Sequence, residues 1–113
     1  MTKITATFST GFTDTYNGTR DVRAAWAIIR KADGVVLNSG HSLDAGKALR
    51  TAEGNLRYLS LSQFGLADHP LRYVRETGSW ARLSRQQLAE NKAHNAARLD
   101  LLRSLTTIEV VDL

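Results

Sequence analysis

The pair Asp33-Gly34, set between two apolar runs, constrains the fold of this 113-residue chain more than any other feature. Asp-Gly is a strong β-hairpin signal when such runs flank it, because its turn needs left-handed backbone conformations that these residues tolerate. Val35–Leu37 follows the pair directly, and Arg23–Lys31 precedes it closely. We therefore predict an antiparallel hairpin here.

The pattern of the segment before this turn is compatible with either a strand or a helix. Its apolar residues also fit the spacing of a helix, which Thr19 would cap. We prefer a strand, because Trp26, Ile28 and Arg30 alternate as they run into the turn.

Two more strands are predicted nearer the N-terminus. Lys3–Ser9 alternates between apolar and hydroxyl side chains, which is typical of a half-buried strand. Thr10-Gly11 then predicts a turn, and Phe12–Tyr16 a second strand that Asn17-Gly18 ends. The first 41 residues thus predict a four-stranded antiparallel meander.

A helix should follow the meander. Ser42 is a good N-cap, and Asp44 in the first turn suits the positive end of the helix. The apolar residues then fall on one helical face: Ala45, Ala48, Leu49, Ala52, Leu56 and Leu59.

The remainder of the chain predicts a second helix and a last strand. Ser84–Gln87 is a capping box, so the helix should begin at Arg85 and run to about Ser104. Thr106–Leu113 reads as a strand, and Leu71–Val74 as a short one. The sequence as a whole predicts a single α+β domain over residues 1–113, with two helices packed on the N-terminal meander and a C-terminal strand.

Composition narrows the possible functions. Eleven arginines and four lysines face eleven acidic residues, for a net charge of +4. Arginine favours phosphate or carboxylate binding, although a GC-rich genome would also enrich it. Cysteine is absent, which excludes disulfides and thiolate chemistry. Neither a membrane-length apolar run nor a signal peptide is visible, so we expect a cytosolic protein; its small size leaves oligomerisation open.

Catalytic motifs are lacking. The histidines, His41, His69 and His94, have no metal-ligand spacing, and loop or surface positions are expected for them. The glycines match no phosphate-binding or dinucleotide-binding pattern, and Gly40-His41-Ser42 lacks the second glycine of a nucleophile elbow. We therefore expect neither an enzyme nor a bound metal or cofactor.

The densest basic stretch is Leu71–Arg85, where only Glu76 opposes four arginines and two aromatic residues are interleaved. Arginines beside aromatic rings can hold phosphates and stack a base. The alternative is that the arginines form a solvated face and that Trp80 anchors the core. The candidate ligand-binding residues of this stretch are Arg72, Tyr73, Arg75, Trp80, Arg82 and Arg85.

Two smaller groups are further candidates. Asn91, Asn95 and Arg98 lie on one face of the last helix, which would meet a ligand, a symmetry mate or only water. Arg20 and Arg23, in the turn before the Trp26 strand, would form an anion site or remain solvated.

The order of these features resembles a family of small phage-encoded proteins, the first family of Thoeris anti-defence proteins. The resemblance spans most of the chain and rests on general patterning. It includes an Ala-rich helix and a polar last helix. The segments that carry it are Ile4-Thr5-Ala6-Thr7-Phe8, Asp14-Thr15-Tyr16-Asn17-Gly18, Ala24-Ala25-Trp26-Ala27-Ile28-Ile29, Ser39-Gly40-His41-Ser42 and Ile108-Glu109-Val110-Val111.

This resemblance implies a non-enzymatic, symmetric homo-oligomer in the cytoplasm of a host bacterium. Such proteins sequester a cyclic ADP-ribose isomer, an immune signal, and some also hold cyclic oligonucleotides. The expected partner is therefore a small cyclic nucleotide rather than a membrane. The alternative is a small basic protein that binds nucleic acid or acts as an anti-CRISPR-type inhibitor, and a small phosphodiesterase using a histidine is a third reading.

Overall fold

A computed structural model of the chain describes residues 2–67 and 82–113. Its architecture is α+β, as the sequence predicts. A short 3-10 turn, Leu61–Phe64, lies between the two helices. The other elements, in chain order, are β1 (Thr2–Thr7), β2 (Thr13–Gly18), β3 (Ala24–Arg30), β4 (Val36–Ser42), α1 (Ala45–Leu56), α2 (Arg85–Leu105) and β5 (Thr106–Asp112).

The four N-terminal strands are present, but they do not form one continuous meander. In the described part of the chain, β1 pairs only with β2, while β3 lies between β4 and β5 in a separate three-stranded sheet. The reason is that Ala24–Ile29 is buried on both faces rather than alternating. A strand of that kind belongs at the centre of a sheet, and β5 supplies its second neighbour.

The two faces of the three-stranded sheet support two separate cores. Trp26 and Ile28 point to the helices, where they pack with Leu56 and Leu102. Ala25, Ala27 and Ile29 point the other way and pack against Ala6 and Phe8 of the β1–β2 hairpin. The molecule therefore has three layers, with the helices and the hairpin on opposite faces of the sheet.

The hairpin at Asp33-Gly34 forms as predicted. Gly34 has φ +74°, a left-handed conformation that favours glycine. Asp33 accepts two hydrogen bonds from the Arg30 guanidinium, at 2.9 and 2.5 Å, and the same guanidinium donates to the Gln63 carbonyl. The hydrogen bond from Arg30 lowers the pKa of the Asp33 carboxyl. This turn is thus tied to the 3-10 turn as well as to its own strands.

The first helix begins two residues later than predicted. Ser42 still belongs to β4, where it pairs with Ala24, and so cannot cap the helix. Asp44 is the N-cap instead, since its carboxylate accepts a hydrogen bond from the Lys47 backbone N–H at 2.8 Å. Ala48 and Ala52 are fully buried against the sheet. The helix packs on the sheet as expected, but with a different cap.

The second helix begins where the capping box predicts. The Gln87 backbone N–H donates to Ser84 Oγ at 3.1 Å, and the Ser84 backbone N–H donates to Gln87 Oε1 at 2.9 Å. Only Asn91 and Leu102 are buried along its 21 residues. The radius of gyration is 17.5 Å, whereas a compact domain of this length has about 13 Å. Most of the residues of α2 are exposed, so the helix offers surface to a ligand or a partner.

Candidate anion-binding groove

The predicted Leu71–Arg85 site lies largely outside the described residues. Arg72, Tyr73, Arg75 and Trp80 are among those not described, as is the proposed strand Leu71–Val74. Arg82 and Arg85 are described; both are exposed, and Arg85 is the first residue of α2.

The structure places the stripe of Asn91, Asn95 and Arg98 on the inner side of α2. Asn91 precedes the buried Leu102 by eleven residues, or three helical turns, so the two share a face. Asn91 is itself buried, whereas Asn95 is exposed and Arg98 is half-buried. Asn91 is therefore packed in the protein and Arg98 contacts the segment after α1, so the solvent interpretation is wrong for these two residues, whereas Asn95 is exposed as that interpretation expects.

Arg98 joins the two helices. Its Nη1 donates a hydrogen bond to the Arg57 carbonyl at 2.8 Å, and its Nη2 donates to the Leu59 carbonyl. Both carbonyls lie just past the end of α1, so a guanidinium placed there satisfies them and interacts favourably with the negative helix end. Arg98 thus has a structural role that the sequence did not indicate.

This contact creates a groove between the end of α1 and the middle of α2. The groove has a volume of about 520 Å³, within the range of small-molecule sites. Its residues come from α2 and from the two positions that follow α1, and none of them is acidic. They are Arg57, Tyr58, Lys92, Asn95, Ala96, Arg98 and Leu99.

The groove combines two unpaired cations with an aromatic ring. Arg57 and Lys92 are exposed, and neither forms an ion pair within 4.0 Å in the part of the chain that the structure describes. Tyr58 is 82% exposed, an unusual position for a large aromatic side chain. Asn95 adds an amide that can both donate and accept hydrogen bonds. Such a set can hold phosphates, stack a base and contact its edge.

Sequence reasoning missed Arg57, Tyr58 and Lys92. The first two follow α1 directly, and a basic-aromatic pair just beyond a helix end was the available local signal. Lys92 lies three residues before Asn95, which places the two on adjoining turns of α2. The contact between α1 and α2 at this point depends on Arg98, and no pattern in the sequence indicated it.

The third predicted group, Arg20 and Arg23, does not lie together in the structure. Arg23 pairs with Asp21 at 3.0 Å, and both side chains are exposed, so the pair contributes little to stability. Arg20 does not join them, and instead lines a different cavity with His41 and residues of α1. Arg20 and Arg23 therefore do not form one site.

The predicted loop or surface position is wrong for His41. It lies in β4, its side chain is only 6% exposed, and its Nδ1 is 3.7 Å from Asp14 Oδ2. His94 is on α2, and His69 lies outside the described residues. Within residues 2–67 and 82–113, no three His, Asp or Glu side chains cluster as a metal site requires. No helix of those ranges is long and apolar enough to cross a membrane.

Comparison with known proteins gives no match. No family model fits the chain, and no curated protein or solved structure is significantly similar to it. The groove between α1 and α2 is therefore interpreted from its own chemistry.

Proposed function

We propose that this chain binds a phosphorylated nucleotide in the α1–α2 groove and holds it without transforming it. The observation that carries the proposal is the combination of the exposed ring of Tyr58 with two cations, Arg57 and Lys92, that form no ion pair with any described residue. Cations alone would suit any anion. The neighbouring ring adds a surface for a base, so a nucleotide fits better than inorganic phosphate.

Each part of a nucleotide has a counterpart in the groove. Hydrogen bonds from Arg57 and Lys92 to phosphate oxygens are charge-assisted and about twice as strong as neutral ones. Stacking of a base on an aromatic side chain contributes roughly 1–3 kcal/mol. The Asn95 amide can hydrogen-bond to a base edge, which gives some selectivity.

The ligand that we propose is a cyclic nucleotide signal. The resemblance to the Thoeris anti-defence proteins makes a cyclic ADP-ribose isomer the first candidate, with cyclic oligonucleotides as the second. The proposed role is sequestration in a host bacterial cytoplasm by a phage or prophage protein that acts as a homo-oligomer. The exposed surface of α2, including Leu88 at 55%, supports an oligomer because a second copy would bury it.

Calorimetric titration of the intact chain with these cyclic nucleotides tests the proposal. We expect saturable binding, and recovery of chemically intact ligand after incubation. Lys92→Gln should weaken binding about tenfold, the effect of losing one charge-assisted hydrogen bond. Tyr58→Ala should also weaken binding without unfolding the chain, because that ring is 82% exposed and contributes little to the core.

Arg103→Gln is the matched control, since it removes one positive charge from the same helix at a position outside the groove. It should leave affinity unchanged. Failure of every cyclic nucleotide to bind would overturn the proposed function, and conversion of the ligand would overturn its non-enzymatic part.

Nucleic-acid binding is the second candidate, favoured by one observation. Lys47, Arg50 and Arg57 are exposed and follow one side of α1 at spacings of three and seven residues. A phosphate backbone could follow that line of charge. A gel-shift titration at two salt concentrations tests it, because such binding must weaken steeply as salt rises. No shift at low salt would exclude this candidate.

A further inference from the structure

A second basic cavity lies near the start of α1, separate from the α1–α2 groove. Its volume is about 430 Å³. Lys47 precedes Arg57 by ten residues, so the two sites are about 15 Å apart along the helix axis. The residues lining it, none of them acidic, are Arg20, His41, Ser42, Leu43, Lys47, Arg50 and Thr51.

Three cations face this cavity from two directions. Lys47 and Arg50 come from adjoining turns of α1, whereas Arg20 comes from the loop between β2 and β3. None of them forms an ion pair within the described ranges. These cations repel one another, and an anion bound between them would offset that repulsion by attracting all three.

The carboxylates close to the cavity in sequence have other partners. Asp21 pairs with Arg23, and Asp44 caps α1. Asp14 accepts a hydrogen bond from Ser39 Oγ at 3.0 Å. A fourth carboxylate, Glu53, follows Arg50 by three residues but forms no ion pair with it within 4.0 Å, so none of the described carboxylates pairs with the three cations.

Tyr16 fixes the loop that carries Arg20. The Arg20 backbone N–H donates to the Tyr16 hydroxyl at 3.0 Å, and the Tyr16 ring lies 5.6 Å from the His41 ring. Tyr16 can fold back in this way only because residue 18 is glycine, since a Cβ there would lie 2.3 Å from the Tyr16 hydroxyl oxygen. The backbone of Arg20 is therefore held close to β4, which forms the opposite wall of the cavity.

His41 adds an unsatisfied polar atom to the wall of the cavity. Its side chain is largely buried, and its Nε2 has no hydrogen-bond partner among residues 2–67 and 82–113. Buried side-chain nitrogens in folded proteins usually have one, so an unpartnered Nε2 needs an explanation. That nitrogen is not exposed to solvent, so the three cations, rather than His41 Nε2, are the groups that an anion in the cavity can contact.

We propose that this cavity is a second anion site, and that it binds a diphosphate group. Three cations from two walls exceed what a single carboxylate would neutralise, whereas a diphosphate carries several charges over two phosphorus centres. The group would come either from free inorganic diphosphate or from a nucleoside diphosphate.

The test is an NMR and calorimetric titration of the intact chain with inorganic pyrophosphate and, separately, with ADP. Pyrophosphate should bind saturably and shift the signals of His41, Lys47 and Arg50. Arg20→Gln should weaken binding about tenfold, as expected for one charge-assisted hydrogen bond. ADP that shifts the Lys47 and Arg50 signals at a lower concentration than pyrophosphate, in the Lys92→Gln variant as well, would identify a nucleoside carrier, and ADP that shifts them at the same or a higher concentration would identify the free diphosphate.

Arg23→Gln is the matched control, because it removes the same charge three residues away and lies outside the cavity. It should leave pyrophosphate affinity unchanged. Equal weakening by both substitutions, or no binding by the unsubstituted chain, would overturn the proposal.

Binding in the α1–α2 groove and binding in the second cavity can be tested separately. Lys92→Gln should leave pyrophosphate binding intact, and Arg20→Gln should leave cyclic-nucleotide binding in the groove intact. A groove that binds no nucleotide would therefore leave the second site standing, and the reverse also holds.

Discussion

Arg98→Met separates the structural role of this arginine from ligand binding. Methionine keeps most of the aliphatic stem but removes the guanidinium, which donates to the carbonyls of Arg57 and Leu59. Both carbonyls lie just past the end of α1, where no backbone N–H of the helix reaches them. The substitution therefore loosens the contact that brings α1 and α2 together.

The expected cost follows from the two lost hydrogen bonds. A hydrogen bond involving a charged group contributes about 1.5–3 kcal/mol, but Arg98 is half-exposed and water can replace part of the loss. We expect the free energy of unfolding to fall by about 2 kcal/mol and the Tm by roughly 8 °C. Urea unfolding followed by circular dichroism measures the first quantity, and a thermal scan the second.

Two further variants make the result specific. Arg98→Lys should fall between the unsubstituted chain and Arg98→Met, because an ammonium lacks the fork that reaches both carbonyls. Arg103→Met should change stability by under about 0.5 kcal/mol, since Arg103 is exposed and lies 3.7 Å from Asp100. If Arg98→Met were as stable as Arg103→Met, the proposed joining of the helices by Arg98 would be refuted.

Three other substitutions test the core and the β3–β4 turn. Gly40→Ala should destabilise the fold by about 1–3 kcal/mol in urea unfolding, because its Cβ would lie 2.8 Å from the Trp26 ring; no change would show that the ring can move. Leu102→Ala, at a fully buried site, should lower the free energy of unfolding by about 2–5 kcal/mol; a surface-like cost would show that α2 is not docked there. The Asp33 pKa is lowered in the folded state, so its interaction with Arg30 stabilises the fold above the ordinary pKa and is lost as pH falls through the folded value. Asp33→Asn should therefore be less stable than the unsubstituted chain near pH 7 and equal to it in acid, and a gap that persists in acid would contradict this.

The features that sequence predicts well here are local. Asp33-Gly34 determines a turn through the backbone preferences of adjacent residues, and Ser84 and Gln87 satisfy each other within one helical turn. Both were confirmed, and the strand preference for the Arg23–Lys31 segment was also correct.

The features that sequence predicts poorly depend on distant contacts. The division into two sheets follows from β5 pairing with β3, which joins residues about 80 positions apart. Ser42 has the chemistry of an N-cap, but its pairing with Ala24 keeps it in β4. The α1–α2 groove likewise brings Arg57 to Lys92, and no local pattern reports that proximity.

Native mass spectrometry tests the central claim, nucleotide binding without turnover, most directly. Spectra of the purified chain, recorded before and after adding cyclic ADP-ribose isomers or cyclic oligonucleotides, report subunit count and ligand stoichiometry together. The account predicts an oligomer that gains the mass of the intact ligand, with a smaller bound fraction in the Lys92→Gln variant and an unchanged one in Arg103→Gln. An unliganded spectrum with every candidate, or a bound mass matching a hydrolysed product, would contradict it.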